Sequence, residues 1–153
     1  MNWRPGGINP PVFLQRGNAG VAVRASSAIP NIISPVGIQG LEYEDADESL
    51  PVAVRAARAA GARFVIAIDV SARPDSAPPG TSPAWLTRDA TRRSRIDPEV
   101  AVADFVLHPD MGYAASPRRS FFEKAQAAGE KEARQLLPAL KEKLIAAGVS
   151  AWR

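Results

Sequence analysis

Residues 61–70 read Gly-Ala-Arg-Phe-Val-Ile-Ala-Ile-Asp-Val, and the unbroken apolar run from Phe64 to Ile68 sets the fold class. An apolar run without alternation is what a strand buried on both faces of a parallel sheet requires, so residues 62–70 are predicted to form such a strand. Just upstream, Pro51 suits a first helical turn. Val54, Ala57 and Arg58 continue the pattern to Gly61, a C-terminal cap. Helix, glycine and buried strand make half of a βαβ unit. Further on, residues 71–83 are rich in Pro and Ser, residues 85–95 fit a basic amphipathic helix, and residues 100–108 give a second apolar strand ending at His108-Pro109. Residues 121–147 carry a long helical pattern with Phe122, Ala125, Ala128, Leu136, Leu140 and Leu144, and a kink is expected at Pro138.

Toward the start, Asn18 is the expected N-cap of a helix over residues 19–29, which Pro30 ends. Residues 32–36 and 38–43 read as short extended pieces, and the acidic run 42–48 as a loop. Residues 1–11 have no period and residues 148–153 form a tail, which leaves 12–147 as the organised region. The order of elements predicts an α/β layered fold.

The chain has 153 residues, 46% of them hydrophobic and 23% charged, a composition that excludes wholesale disorder and leaves room for about one domain. The absence of cysteine excludes disulfides, cysteine-type zinc sites and a thiol nucleophile, and one histidine excludes a multi-histidine metal site. Lys and Arg outnumber Asp and Glu by 19 to 16, and most of these bases are arginine. So small an excess, without a basic tail, does not point to nucleic acid. No secretory leader and no membrane-length apolar run is read, so a cytoplasmic location is the default expectation.

Three stretches resemble a known family. They are Phe13-Leu-Gln-Arg-Gly-Asn-Ala-Gly-Val-Ala-Val-Arg-Ala-Ser-Ser-Ala-Ile-Pro30, then Gly37-Ile-Gln-Gly-Leu-Glu-Tyr43 with Asp45, Pro51 and Val52, and then Arg63-Phe-Val-Ile-Ala-Ile-Asp-Val-Ser71. Together with Ala103-Asp-Phe-Val-Leu-His-Pro-Asp-Met-Gly112 and the Ala-rich last helix, they look like the C-terminal half of a bacterial patatin-like phospholipase domain. The resemblance implies a three-layer α/β/α sheet and a Ser/Asp dyad that hydrolyses an acyl lipid or phospholipid ester through an acyl-enzyme. It implies no metal or organic cofactor, allows contact with a membrane surface, and makes the N-terminal half of the domain an expected partner. Asp45 falls at the family's catalytic aspartate. The family's Gly-x-Ser-x-Gly elbow is absent from this chain, and Ala46-Asp47 stands where the family has Gly-Gly. The alternative is a catalytically inactive truncated or split-gene fragment that serves as a structural or interaction piece.

Other residues compete for a role. Ser26 and Ser27 sit in a helical pattern without flanking glycines, unlike an elbow serine, and read as core packing. His108 could complete a Ser/His/Asp triad, but the resembled family works without histidine. Asp69 ends a strand where a dinucleotide fold holds a ribose, yet no glycine-rich fingerprint precedes it. Arg88, Arg92, Arg93 and Arg95 suit either anionic lipid or phosphate, or a solvated helix face beside Asp89.

Overall fold

The structure, a computed structural model, describes residues 10–73 and 75–149; the expectations for residues 1–9 and for the end of the tail lie outside them. The chain divides into two compact units, Met1–Pro51 and Val52–Arg153. The α/β class expected from the sequence is the class observed.

In the first unit, α1 spans Ala19–Ser26. The Asn18 side chain accepts the Val21 N–H at 3.1 Å, the side-chain cap that a helix start needs for one of its unpaired donors. The helix stops short of the expected Ile29, because the Ile32 and Ile33 amides both turn back to the Ile29 carbonyl around Asn31, whose φ is positive. Residues 32 and 33 therefore form a turn and not the predicted extended piece. Strands β1 (Val36–Ile38) and β2 (Leu41–Tyr43) pair antiparallel, with Val36 opposite Tyr43. Gln39 and Gly40 both take positive φ, the combination that matches a two-residue hairpin to the twist of its strands. Ala25, Ala28 and Val36 form a small core, with Ile38 and Tyr43 packed against it.

The second unit is built on a β-α-β crossover. Helix α2 (Val54–Ala59) begins three residues after Pro51 and ends before Gly61, whose φ of +97° is a left-handed cap conformation open to glycine at no steric cost. Strand β3 (Ile66–Ile68), helix α3 (Pro83–Val100) and strand β4 (Phe105–Leu107) follow. The two strands pair in parallel, with Ile66 opposite Phe105 and Ile68 opposite Leu107. Helix α4 (Arg119–Ala146) runs continuously through Pro138. It holds both ends of β4: Lys143 Nζ donates to the Asp104 carbonyl at 2.9 Å and Glu132 accepts the His108 amide at 2.6 Å.

Val54, Val65 and Ala67 form the core of this unit, covered by Val52, Ala57, Ala62, Val100 and Ala103. The expectation that β3 is buried on both faces is corrected here. Ala67 is buried, but Ile66 and Ile68 are 41% and 57% exposed, because α2 packs on one face of a sheet that has only two strands. Helix α3 is also longer than its predicted 85–95 and takes in Val100, which was expected to start a strand. Pro98 removes the amide that would bond the Ser94 carbonyl, and both residues are exposed, so water can satisfy that carbonyl and the helix continues.

Candidate functional site

The carboxyl ends of parallel strands are where open α/β sheets place their ligands, and here β3 and β4 deliver Asp69 and His108. The Asp69 amide donates to the Leu107 carbonyl at 2.8 Å and so extends the ladder by a rung. Its side chain is 2% exposed. One carboxylate oxygen accepts the Ser71 amide at 2.9 Å and the Ser71 hydroxyl at 2.6 Å; the other accepts Arg93 Nη1 at 2.6 Å. The same Arg93 nitrogen donates to the Ser71 hydroxyl oxygen at 3.0 Å, and its other arm pairs with Asp97 one turn along α3.

Serine, histidine and aspartate therefore meet, but not as a relay. His108 Nε2 lies 2.9 Å from the Ser71 carbonyl. A carbonyl only accepts, so that nitrogen carries the proton. Nδ1 stands 3.8 Å from the Asp69 carboxylate. The Ser71 proton is directed at Asp69, and no base draws it toward an attacking geometry. Burial alone would raise the Asp69 pKa, but the hydroxyl and amide of Ser71, then Arg93 and His108, outweigh it and hold the carboxyl below its ordinary value. A carboxylate stabilised in its charged form is a weak general base. This cluster is a structural tie between β3, α3 and the end of β4.

Two further carboxylates do similar work. Glu99, buried on α3, accepts the Arg55 amide at 2.8 Å and its guanidinium at 2.7 Å. It thereby caps α2, whose own N-cap residue, Ala53, has no side chain able to do so. Its burial would raise the pKa, yet the Arg55 contacts prevail and lower it. Asp104 accepts the Val65 amide at 2.6 Å and pairs with Arg58; the amide is the chief cause of its lowered pKa.

In the first unit, Asp45 follows β2 and is half-buried. Its amide donates to the Ala28 carbonyl at 2.9 Å, and its carboxylate accepts the Asp47 amide at 2.9 Å. The loop is thus fastened to the residue just beyond α1 and folds back on its own side chain. Neither Ala46 nor Asp47 adopts a positive φ, so the backbone here does not require glycine at either position.

No family model and no curated protein matches the chain. The assignment of roles therefore rests on geometry and on the resemblance. Ser26 and Ser27 are exposed and not core residues as expected, since the inward positions of α1 and its cap are taken by Ala25 and Ala28; the Ser27 hydroxyl donates to the Val23 carbonyl at 3.0 Å. The arginine cluster is split, with Arg93 turned inward to Asp69 and Arg88 lying over the Trp85 ring, 4.6 Å from its centroid. Among the described residues, no group of three or more His, Asp or Glu side chains could hold a metal ion, and no helix is long and apolar enough to cross a membrane. Sequence reasoning missed Arg93, Glu99 and Asp104 as organising residues. Their partners lie 24, 44 and 39 to 46 residues away along the chain, beyond any local pattern.

Proposed function

We propose that this chain is the aspartate-bearing part of a patatin-like serine acyl hydrolase acting on a lipid ester, with Asp45 as general base and the serine nucleophile supplied by a polypeptide segment that carries the Gly-x-Ser-x-Gly elbow. The observation that carries the reading is the anchorage of Asp45. Its amide is tied to Ala28 and its carboxylate is oriented by the Asp47 amide, which fixes a base against a small core and keeps the Ala-Asp replacement of Gly-Gly free of backbone strain. A base that is held in place removes the serine proton as attack begins, and contributes about 10²- to 10⁴-fold to the rate. The parallel β3-α3-β4 crossover is consistent with a piece of a larger α/β/α sheet, and the three-layer patatin fold belongs to this proposal.

A second reading, in which the chain is a non-catalytic interaction piece, is favoured by the engagement of its best serine candidate. The Ser71 hydroxyl is committed to Asp69 and Arg93. One set of assays separates the two. The chain alone is expected to leave a fluorophosphonate probe unreacted. When it is combined with the elbow-bearing segment of a patatin-like protein, ester hydrolysis should appear, fall by at least about 100-fold in Asp45→Asn, and persist in Asp47→Asn. Activity indifferent to Asp45→Asn would overturn the base assignment, and no activity in any combination would favour the interaction piece.

A further inference from the structure

Thr81, Ser82, Trp85, Tyr113 and Ala114 line an open groove of about 350 Å3 in the second unit. Trp85, on the first turn of α3, is 52% exposed and presents a large aromatic surface to the groove. The walls are set by local ties. The Tyr113 hydroxyl donates to Asp89 at 2.5 Å, and the Thr81 hydroxyl donates to the Pro78 carbonyl at 2.7 Å. Asp89 is thereby occupied by the wall itself. Arg88 lies beside Trp85, its guanidinium carbon 4.6 Å from the ring centroid, and forms no salt bridge with a carboxylate among the described residues, whereas Arg93 on the same helix pairs with both Asp69 and Asp97. An aromatic-walled groove with one cation at its edge is complementary to a molecule with an apolar body and a single negative head.

We propose that this groove binds a monomeric anionic amphiphile of the fatty-acid class, with its chain along Trp85 and Tyr113 and its carboxylate on Arg88. At roughly 30 Å3 per heavy atom, the share of a liquid water molecule, the groove holds on the order of a dozen such atoms, the size of decanoate. The inference stands independently of the hydrolase reading, because every residue it uses lies in the second unit and none takes part in the Asp45 loop.

Trp85 reports on the site once Trp3 and Trp152 are replaced by Phe. Titration of that protein with decanoate should give a saturable change in Trp85 emission. Arg88→Gln should weaken decanoate about fivefold, the upper range for an exposed ion pair, and leave binding of the uncharged decanol unchanged. In the parent chain, Trp85→Ala should remove decanoate binding measured by calorimetry, with the thermal melt of the variant showing that it is folded. A flotation assay with phosphatidylglycerol vesicles provides the contrast. A linear, non-saturating titration, equal decanoate affinity in Arg88→Gln, or vesicle binding through Trp85 that decanoate fails to compete would overturn the proposal, the last in favour of a membrane surface.

Discussion

Replacing Arg93 with Met removes the Nη1 donor that reaches Asp69 from α3 while keeping most of the side chain's volume. The carboxylate, 2% exposed, is left with the Ser71 hydroxyl and amide and the distant ring of His108. Breaking a buried ion pair from one side costs about 3 to 5 kcal/mol. Arg93 itself is 22% exposed, so solvent already screens part of the interaction and the lower end, about 3 kcal/mol, is expected. For a unit of about 100 residues that corresponds to a fall in Tm of more than about 10 °C. The pH dependence supplies the sharper test. The folded-state pKa of Asp69 lies below its ordinary value, so its contribution to stability is complete above the unfolded pKa of about 3.9 and is lost as pH falls through the folded value. In Arg93→Met the carboxyl takes up a proton more readily, and the gap between parent and variant should narrow as pH is lowered from neutrality toward that range. Urea unfolding followed by circular dichroism at several pH values measures the gap directly. The double variant Asp69→Asn/Arg93→Met should be more stable at neutral pH than Arg93→Met, because it buries no unpaired charge. A cost under about 1 kcal/mol, or a gap that does not change with pH, would refute the view of this pair as a buried tie.

Glu99→Gln should speed hydrogen exchange at the Arg55 amide and destabilise α2 by about 1 kcal/mol, in line with a lost cap; unchanged exchange would show that α2 does not depend on α3 for its start. Because the Glu99 pKa is lowered, that capping contribution persists at neutral pH and should fade only as the solution is acidified below the ordinary glutamate range. Gly61→Ala places a Cβ in open space but at a φ of +97°, so the loss should be conformational alone, about 1 kcal/mol, and read as a Tm lowered by several degrees without any change in the folded spectrum.

Much of the local architecture was legible in the residues. Asn18 marked the start of α1, Gly61 the end of α2, and the two apolar runs were correctly expected as strands; their parallel pairing follows the predicted β-α-β order. The hairpin was half seen, since residues 32–36 and 38–43 read as two extended pieces, whereas it is Gln39-Gly40 that turns the chain and Gly37 lies within β1. Helix α3 was underestimated: it continues through Pro98, where an exposed helix surface lets water satisfy the freed carbonyl. Exposure of Ile66 and Ile68 was not legible at all. The composition of a strand records what its faces prefer, not how many layers are there to cover them. The manner in which Asp45 is held, by Ala28 and Asp47, likewise came only from the fold.

The β3–β4 ladder has three residue pairs and is closed at each end by a carboxylate. Asp104 receives the Val65 amide and Arg58 where the strands begin, and Asp69 receives Ser71 and Arg93 where they leave. A slip of two residues would return every strand side chain to its original face, so apolar contacts alone distinguish such alignments weakly. It would, however, carry the Asp104 carboxylate away from the Val65 amide at one end and the Asp69 amide away from the Leu107 carbonyl at the other, stranding a charge and a backbone donor. Alignment of this short sheet is thus set by polar contacts at its ends. Its apolar positions are open to exchange among similar side chains, while the two aspartates that frame them are not.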